Sequence, residues 1–332
     1  MTALDGIQVP LARPVLSAAE FTDWFRVIGD NVRRVIRGKD EVVDLALTCL
    51  LAEGHLLIED VPGVGKTSIA RAFAMSLGAV CQRIQFTPDL LPSDVTGVSV
   101  YNQRTQEFVF RPGPVFASIV LADEINRASP KTQSALLEVM EERQVTVDGV
   151  PRPVPRPFMV IATQNPVDME GTYPLPEAQL DRFLMRVAVG YPAHAAEVDV
   201  LRGQDGRPVL GALSPVVDAS HVHAMIATAA RVHASEPLHD YIVHLVAATR
   251  RLPELRLGAS PRGSVTLLRA ARVWAAAAGR DFTTPEDVKA VAVPVLAHRL
   301  LLTPEAQVSG QTAKSVLERV LATTRVPANL DG

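Results

Sequence analysis

Residues 55–77 constrain this chain more than any other stretch. A short apolar run, His55–Glu59, leads through Asp60 and Val61-Pro62-Gly63-Val64-Gly65-Lys66-Thr67-Ser68 into a helical pattern from Ile69 to Leu77. Strand, glycine-bearing loop and helix, in that order, make a phosphate-binding loop. Gly63 and Gly65 let backbone N–H groups turn inward around phosphate oxygens. Val64 and Ser68 complete the cradle. Lys66 supplies a point charge for the β and γ phosphates, and Thr67 offers a hydroxyl to Mg2+. The helix N-terminus adds its own partial positive charge. Asp60 stands where the general pattern has its first glycine.

Such a unit belongs in a parallel sheet, and the rest of the chain supplies the other strands. Apolar runs of strand length recur at Val80–Gln85, Ser118–Ala122, Phe158–Thr163 and Leu184–Val189, with helical stretches between them. Together with His55–Glu59 they predict a doubly wound α/β fold with a five-stranded parallel sheet. Two helices precede it. Phe21 to Arg37 carries Phe21, Trp24, Phe25, Ile28, Val32, Val35 and Ile36 near helical period, and Asp40 to Glu53 is closed by Gly54. Two hairpins interrupt the alternation. Gly97–Val109 turns around Asn102-Gln103-Arg104. Gln144–Pro157 turns at Asp148-Gly149 and returns through a Pro-rich arm that fits only an edge or a loop.

Beyond about Pro192 no strand pattern survives, and the text is Ala-rich and helical. Ser260-Pro261 opens one helix as N-cap and first helical residue, and Thr284-Pro285-Glu286-Asp287 opens another. The predicted organisation is an N-terminal segment and helix over 1–34, an α/β nucleotide-binding core over 35–192, and a smaller all-α lid over 193–332.

Composition agrees with two domains: 332 residues, at roughly 150 per domain, are enough to bury a sizeable core. A net charge of −3 and 5% aromatics argue against a nucleic-acid binder, which needs excess Lys and Arg and stacking platforms. Cys49 and Cys81 read as small buried hydrophobes of a reducing compartment. No signal pattern opens the chain and no apolar run is long enough to span a bilayer, so the expected address is the cytoplasm. The histidines His221, His223, His233, His239 and His244 are too scattered for a metal site. Arg26, Arg33, Arg34, Arg37 and Lys39 read as a solvated helix face.

Two strand ends carry further chemistry. Ile119-Val120-Leu121-Ala122 ends in Asp123-Glu124, which places two carboxylates at the edge where doubly wound sheets bind ligands. Asp123 would hold Mg2+, through water, and Glu124 would polarise the attacking water as general base. Ala162-Thr163-Gln164-Asn165 offers Asn165 to the same water or to the γ phosphate.

Lys66, the pair Asp123-Glu124 and Asn165 resemble the Walker A, Walker B and sensor 1 elements of AAA+ ATPases. Longer stretches resemble the MoxR branch. These are Gly54-His55, Asp123-Glu124-Ile125-Asn126-Arg127-Ala128, Lys131 through Glu138, and Glu170 through Phe183. The resemblance spans about 35–325, and in that family Asp60 is an ordinary residue of the phosphate loop. It implies several further assignments. Arg182 would be the arginine finger that reaches the γ phosphate bound by a neighbouring subunit, with Arg186 as its rival. Arg262 would be sensor 2, contacting the γ phosphate from the lid and coupling nucleotide state to domain angle. Ile36 and Gly38 would lie over the adenine. The two hairpins would face a ring pore.

The function so implied is a ring-forming, Mg2+-dependent ATPase, most simply a hexamer. It would remodel or mature a protein client, with a von Willebrand factor A domain protein as partner. The alternatives on the same core are the ATPase subunit of a metal chelatase, a nucleic-acid translocase subunit, and a nucleotide-binding switch without turnover.

Overall fold

The computed structural model describes residues 15–60, 66–165, 172–191 and 213–326. Helices α1 (Ala18–Arg33) and α2 (Asp40–Leu51) lead into β1 (Leu56–Glu59), α3 (Lys66–Ser76), β2 (Cys81–Gln85) and α4 (Pro92–Thr96). A hairpin, β3 (Gly97–Asn102) and β4 (Glu107–Pro112), precedes β5 (Ile119–Asp123) and α5 (Pro130–Glu142). A second hairpin, β6 (Gln144–Val147) and β7 (Val150–Pro153), precedes β8 (Met159–Gln164), α6 (Glu177–Leu180) and β9 (Met185–Val187). The helical part holds α7 (Ala219–Ala229), α8 (Glu236–Thr249), β10 (Leu255–Leu257), α9 (Pro261–Ala277) and α10 (Pro285–Leu296). After a 3-10 turn at Ala297–Arg299 come β11 (Leu301–Leu302), α11 (Pro304–Val308) and α12 (Ala313–Thr323).

The five predicted strands form one parallel sheet in the order β2-β5-β8-β1-β9. Its inner strands are apolar because helices cover both faces. The alternation of β5 makes the point. Ile119 and Leu121 join the core under α1, α2 and α3, while Val120 and Ala122 join the opposite core under α5. Each of the larger side chains, at 0–1% exposure, contributes about 1.5–3 kcal/mol by burial.

Three expectations need adjusting. Helix α1 begins earlier than the apolar pattern suggests, because Ser17 and Glu20 form a capping box ahead of it. It also stops at Arg33, whose guanidinium ties α1 to α2 through Asp40 at 3.3 Å and through Asp44. The basic run is therefore partly an ion-pair knot. The left-handed residue that ends α2 is Glu53 (φ 53°), not Gly54. Gly54 is needed for a different reason: a Cβ there would stand 2.6 Å from Leu184 Cδ1. The helical part also contains an antiparallel pair, β10 with β11, which the sequence reading missed.

Both hairpins form, and the Pro-rich arm is the second strand of an isolated ribbon. They meet where the Arg152 guanidinium lies 4.1 Å from the Phe110 ring centre. One large apolar core runs from α1 and α2 through a face of the sheet into α7, α8, α9 and α10. Among the described residues, no helix is long and apolar enough to cross a membrane.

Candidate active site

All parallel strands point the same way, so each face of chemistry can be assigned to one edge of the sheet. At the carboxyl edge, α3 starts with Lys66 and Thr67 after β1, Asp123 and Glu124 close β5, and Asn165 follows β8. Gly63, Val64 and Gly65 lie outside the described residues. Lys66 Nζ donates to the carbonyl oxygens of Asp60 and Gln164, the latter at 3.4 Å. Burial pulls the Lys66 ammonium below its ordinary range, against the upward pull of Asp60, Asp123, Glu124 and Glu59. Asp60 is buried, and its carboxylate accepts the Gly190 N–H. Lys39 Nζ donates to Tyr191 O at 2.7 Å. The buried Ile36 and the left-handed Gly38 (φ 68°) are thus held beside the strand end that Asp60 also touches.

The two acids are held in a network. Thr163 Oγ1 donates to Asp123 Oδ1 at 2.6 Å and accepts the Glu124 N–H at 2.9 Å. Asp123 Oδ2 accepts from Arg83 Nη2 at 2.7 Å. Glu124 takes a left-handed backbone (φ 57°, ψ 49°), which costs a non-glycine residue on the order of 1 kcal/mol. Its Oε2 accepts from Gln85 Nε2 at 3.0 Å and lies 3.4 Å from Arg127 Nε.

The opposite, amino edge carries the arginines. A cavity of about 520 Å3 is lined by Arg143, Arg182, Arg262 and Arg269, with Glu53 and Glu141, where β1 and β9 begin. Arg262 Nη2 pairs with Glu141 Oε2 at 2.6 Å. Arg143 is spent on the carbonyls of Glu53 and Phe158. Among the described residues the side chains of Arg182 and Arg269 make no ion pair, neither with Asp181 nor with Glu177. Four arginines against two glutamates leave this lining with an excess of positive charge. At about 3.3 Å per residue, the four residues of β1 put about 13 Å between the two edges. Arg262 is therefore grouped with Arg182 and set apart from Lys66. Arg186 goes the other way: its Nη1 pairs with Glu59 Oε2 at 2.9 Å, and Gln164 Nε2 donates to the other Glu59 oxygen.

Comparison with known proteins decides the family. Residues 55–185 match the model of the ATPase family associated with various cellular activities (AAA), and residues 247–320 match an AAA lid domain. Chaperone MoxR1 of Mycobacterium tuberculosis is 44% identical over 93% of this chain and 84% of its own length. The chain belongs to the MoxR family of AAA+ ATPases. Uncharacterized protein YeaC of Bacillus subtilis is 51% identical, covering 90% of this chain and 93% of that protein. A crystal structure of a candidate ATPase from Cytophaga hutchinsonii superposes with a TM-score of 0.86 at 38% identity, over 93% of this chain and 97% of that one.

As a MoxR-family ATPase, the chain binds nucleotide and hydrolyses ATP. Sequence reasoning reached the acids and missed what holds them. Thr163, Arg83 and Gln85 were visible only as strand residues. They become site residues because Gln85 pairs in register with Asp123, and because β8 lies next to β5.

Proposed function

We propose that this ATPase completes its catalytic centre between subunits of a ring. Lys66, Thr67, Asp123, Glu124 and Asn165 serve from one subunit, and Arg182 and Arg262 from the next. The observation that carries the reading is the arginine-rich cavity at the amino edge, turned away from the subunit's own Lys66. Arg182, which makes no ion pair among the described residues, fits the finger better than Arg186, whose charge is met by Glu59.

The donor set suits Mg2+. Thr67 offers a neutral hydroxyl oxygen, and Asp123 keeps one carboxylate among donors already given by Thr163 and Arg83. A hard cation that retains several waters fits such sparse direct ligation. Held by Thr67 and, through water, by Asp123, the ion would supply positive charge to offset that of the phosphates. Lys66 binds the same phosphates. Glu124 accepts a proton from the attacking water; both protein contacts to its carboxylate fall on Oε2, leaving Oε1 uncommitted among the described residues. Arg182 and Arg262 spread positive charge over the transferring group, a contribution of about 10³-fold or more for a finger arginine.

A hexameric ring in the cytoplasm, remodelling or maturing a protein client alongside a von Willebrand factor A domain partner, is the role that goes with this centre. The relative named a chaperone supports the client-remodelling part of this role. The test uses mixed assemblies. Glu124→Gln subunits should bind ATP and assemble but turn over very slowly, and Arg182→Ala subunits should bind ATP yet hydrolyse poorly. Mixing the two should restore part of the activity, since some interfaces regain both groups. Mixtures no more active than their components would overturn the shared centre.

A further inference from the structure

Asp181 stands immediately before Arg182, and its carboxylate is claimed by two residues of the helical part. Arg299 Nε donates to Oδ1 at 2.7 Å, and Ser260 Oγ donates to Oδ2 at 3.2 Å. Ser260 precedes α9, and Arg262 lies two residues further on, in its first turn. One carboxylate thus joins the stretch that carries Arg182 to the helix start that carries Arg262.

Arg299 devotes the rest of its guanidinium to the same stretch. Nη2 donates to Asp181 O at 3.1 Å and to Phe183 O at 2.8 Å. Nη1 donates to Leu184 O at 3.3 Å and, at the end of α10, to Val295 O. The carbonyls on both sides of Arg182 are therefore fixed from the helical part by one side chain that is only 2% exposed. Gly263 packs close beside this joint: a Cβ there would stand 3.2 Å from Leu296 Cδ2 and in ordinary contact, 3.8 Å, with Arg299 Cδ. Burying an ion pair is a poor way to gain stability, because desolvation offsets most of the attraction. What a planar, five-donor group does supply is orientation.

We infer that Asp181, Arg299 and Ser260 are positioning residues that hold Arg182 and Arg262 in one fixed arrangement, so that both meet the same phosphate of a neighbouring subunit. The inference rests on the shared-centre reading above. Neither arginine is long enough to correct a backbone shift of its partner without losing its own alignment. A joint that sets both is what a two-arginine clamp needs.

The test measures kcat and KM for ATP in Asp181→Asn and Ser260→Ala, alone and mixed with Glu124→Gln subunits, with Arg182→Ala mixed in parallel. The Ser260 side chain makes no N-cap hydrogen bond, so Ser260→Ala removes the link without removing a cap and folds even if Asp181→Asn does not. The expected result is unchanged KM with kcat lowered about fivefold in Ser260→Ala, the loss of one ordinary hydrogen bond. Asp181→Asn should lose about 10²-fold, as misplaced catalytic groups do. Glu124→Gln subunits, whose own arginines are correctly held, should restore part of the activity in both cases. Wild-type kcat in Ser260→Ala and Asp181→Asn overturns the inference. So does a loss of kcat that Glu124→Gln subunits fail to restore although they restore Arg182→Ala. Failure to restore Arg182→Ala itself overturns the shared centre, and this inference with it.

Discussion

His55 illustrates how completely one side chain can be committed by its surroundings. The Val160 N–H can only donate, and it lies 2.9 Å from His55 Nδ1, so Nδ1 is the unprotonated nitrogen. Nε2 then carries the proton and donates to Met140 O at 3.1 Å. Burial pushes the imidazole pKa down to about 3. The sign of the effect on stability follows. The unfolded chain takes up a proton near pH 6.5 and the folded one does not, so stability is full above 6.5 and falls as pH drops toward 3. At pH 5 the expected loss is about 2 kcal/mol, and His298, also lowered by burial, acts in the same direction. Thermal melts between pH 7.5 and 5 on wild type and His55→Gln check this: the variant should show a shallower acid slope, and equal slopes would assign the loss elsewhere. Legibility at this scale was uneven. Lys66, Asp123 and Glu124 could be read because each closes or opens an element in a short recognisable string. His55 could not be given its role, since its partners sit on α5 and β8, far away in sequence.

Elements were legible where burial writes a pattern. The inner sheet strands β5, β8 and β1 are apolar runs because both faces are covered, and the hairpin at Asp148-Gly149 declares its own turn. The pair β10 and β11 left no trace, since strands of three and two residues have no period to detect. The end of α2 was misread because glycine beside a helix end suggests a left-handed stop, whereas Glu53 takes that conformation. Gly54 is retained for contact with Leu184, the residue that leads the Arg182 stretch into β9. Gly54→Val should therefore destabilise the fold by about 1–3 kcal/mol through overpacking. A urea or guanidinium midpoint measures it, and an unchanged midpoint would mean that Leu184 can retreat freely.

On the scale of the whole molecule, the two groups of side chains proposed for the catalytic centre lie on opposite edges of one sheet. A lone subunit cannot bring them together across the strands that separate them. ATPase activity per subunit should therefore rise with protein concentration and level off once assembly, followed by sedimentation, is complete. Constant specific activity down to concentrations where only monomers sediment would contradict this. The sequence indicated both groups but not their separation, because distance across a sheet depends on strand direction and register.

The continuous apolar core has a mechanical consequence. Among the described residues, α1, the sheet and the helical part share one interior, and Arg299, in the turn after α10, ties that part to the Asp181 stretch. In the proposed ring, a joint tied in this way would pass nucleotide turnover on as motion of one subunit against the next. Force on the proposed client would then arise from the changing tilt between neighbouring subunits, with each interface of that ring serving as bearing and trigger at once.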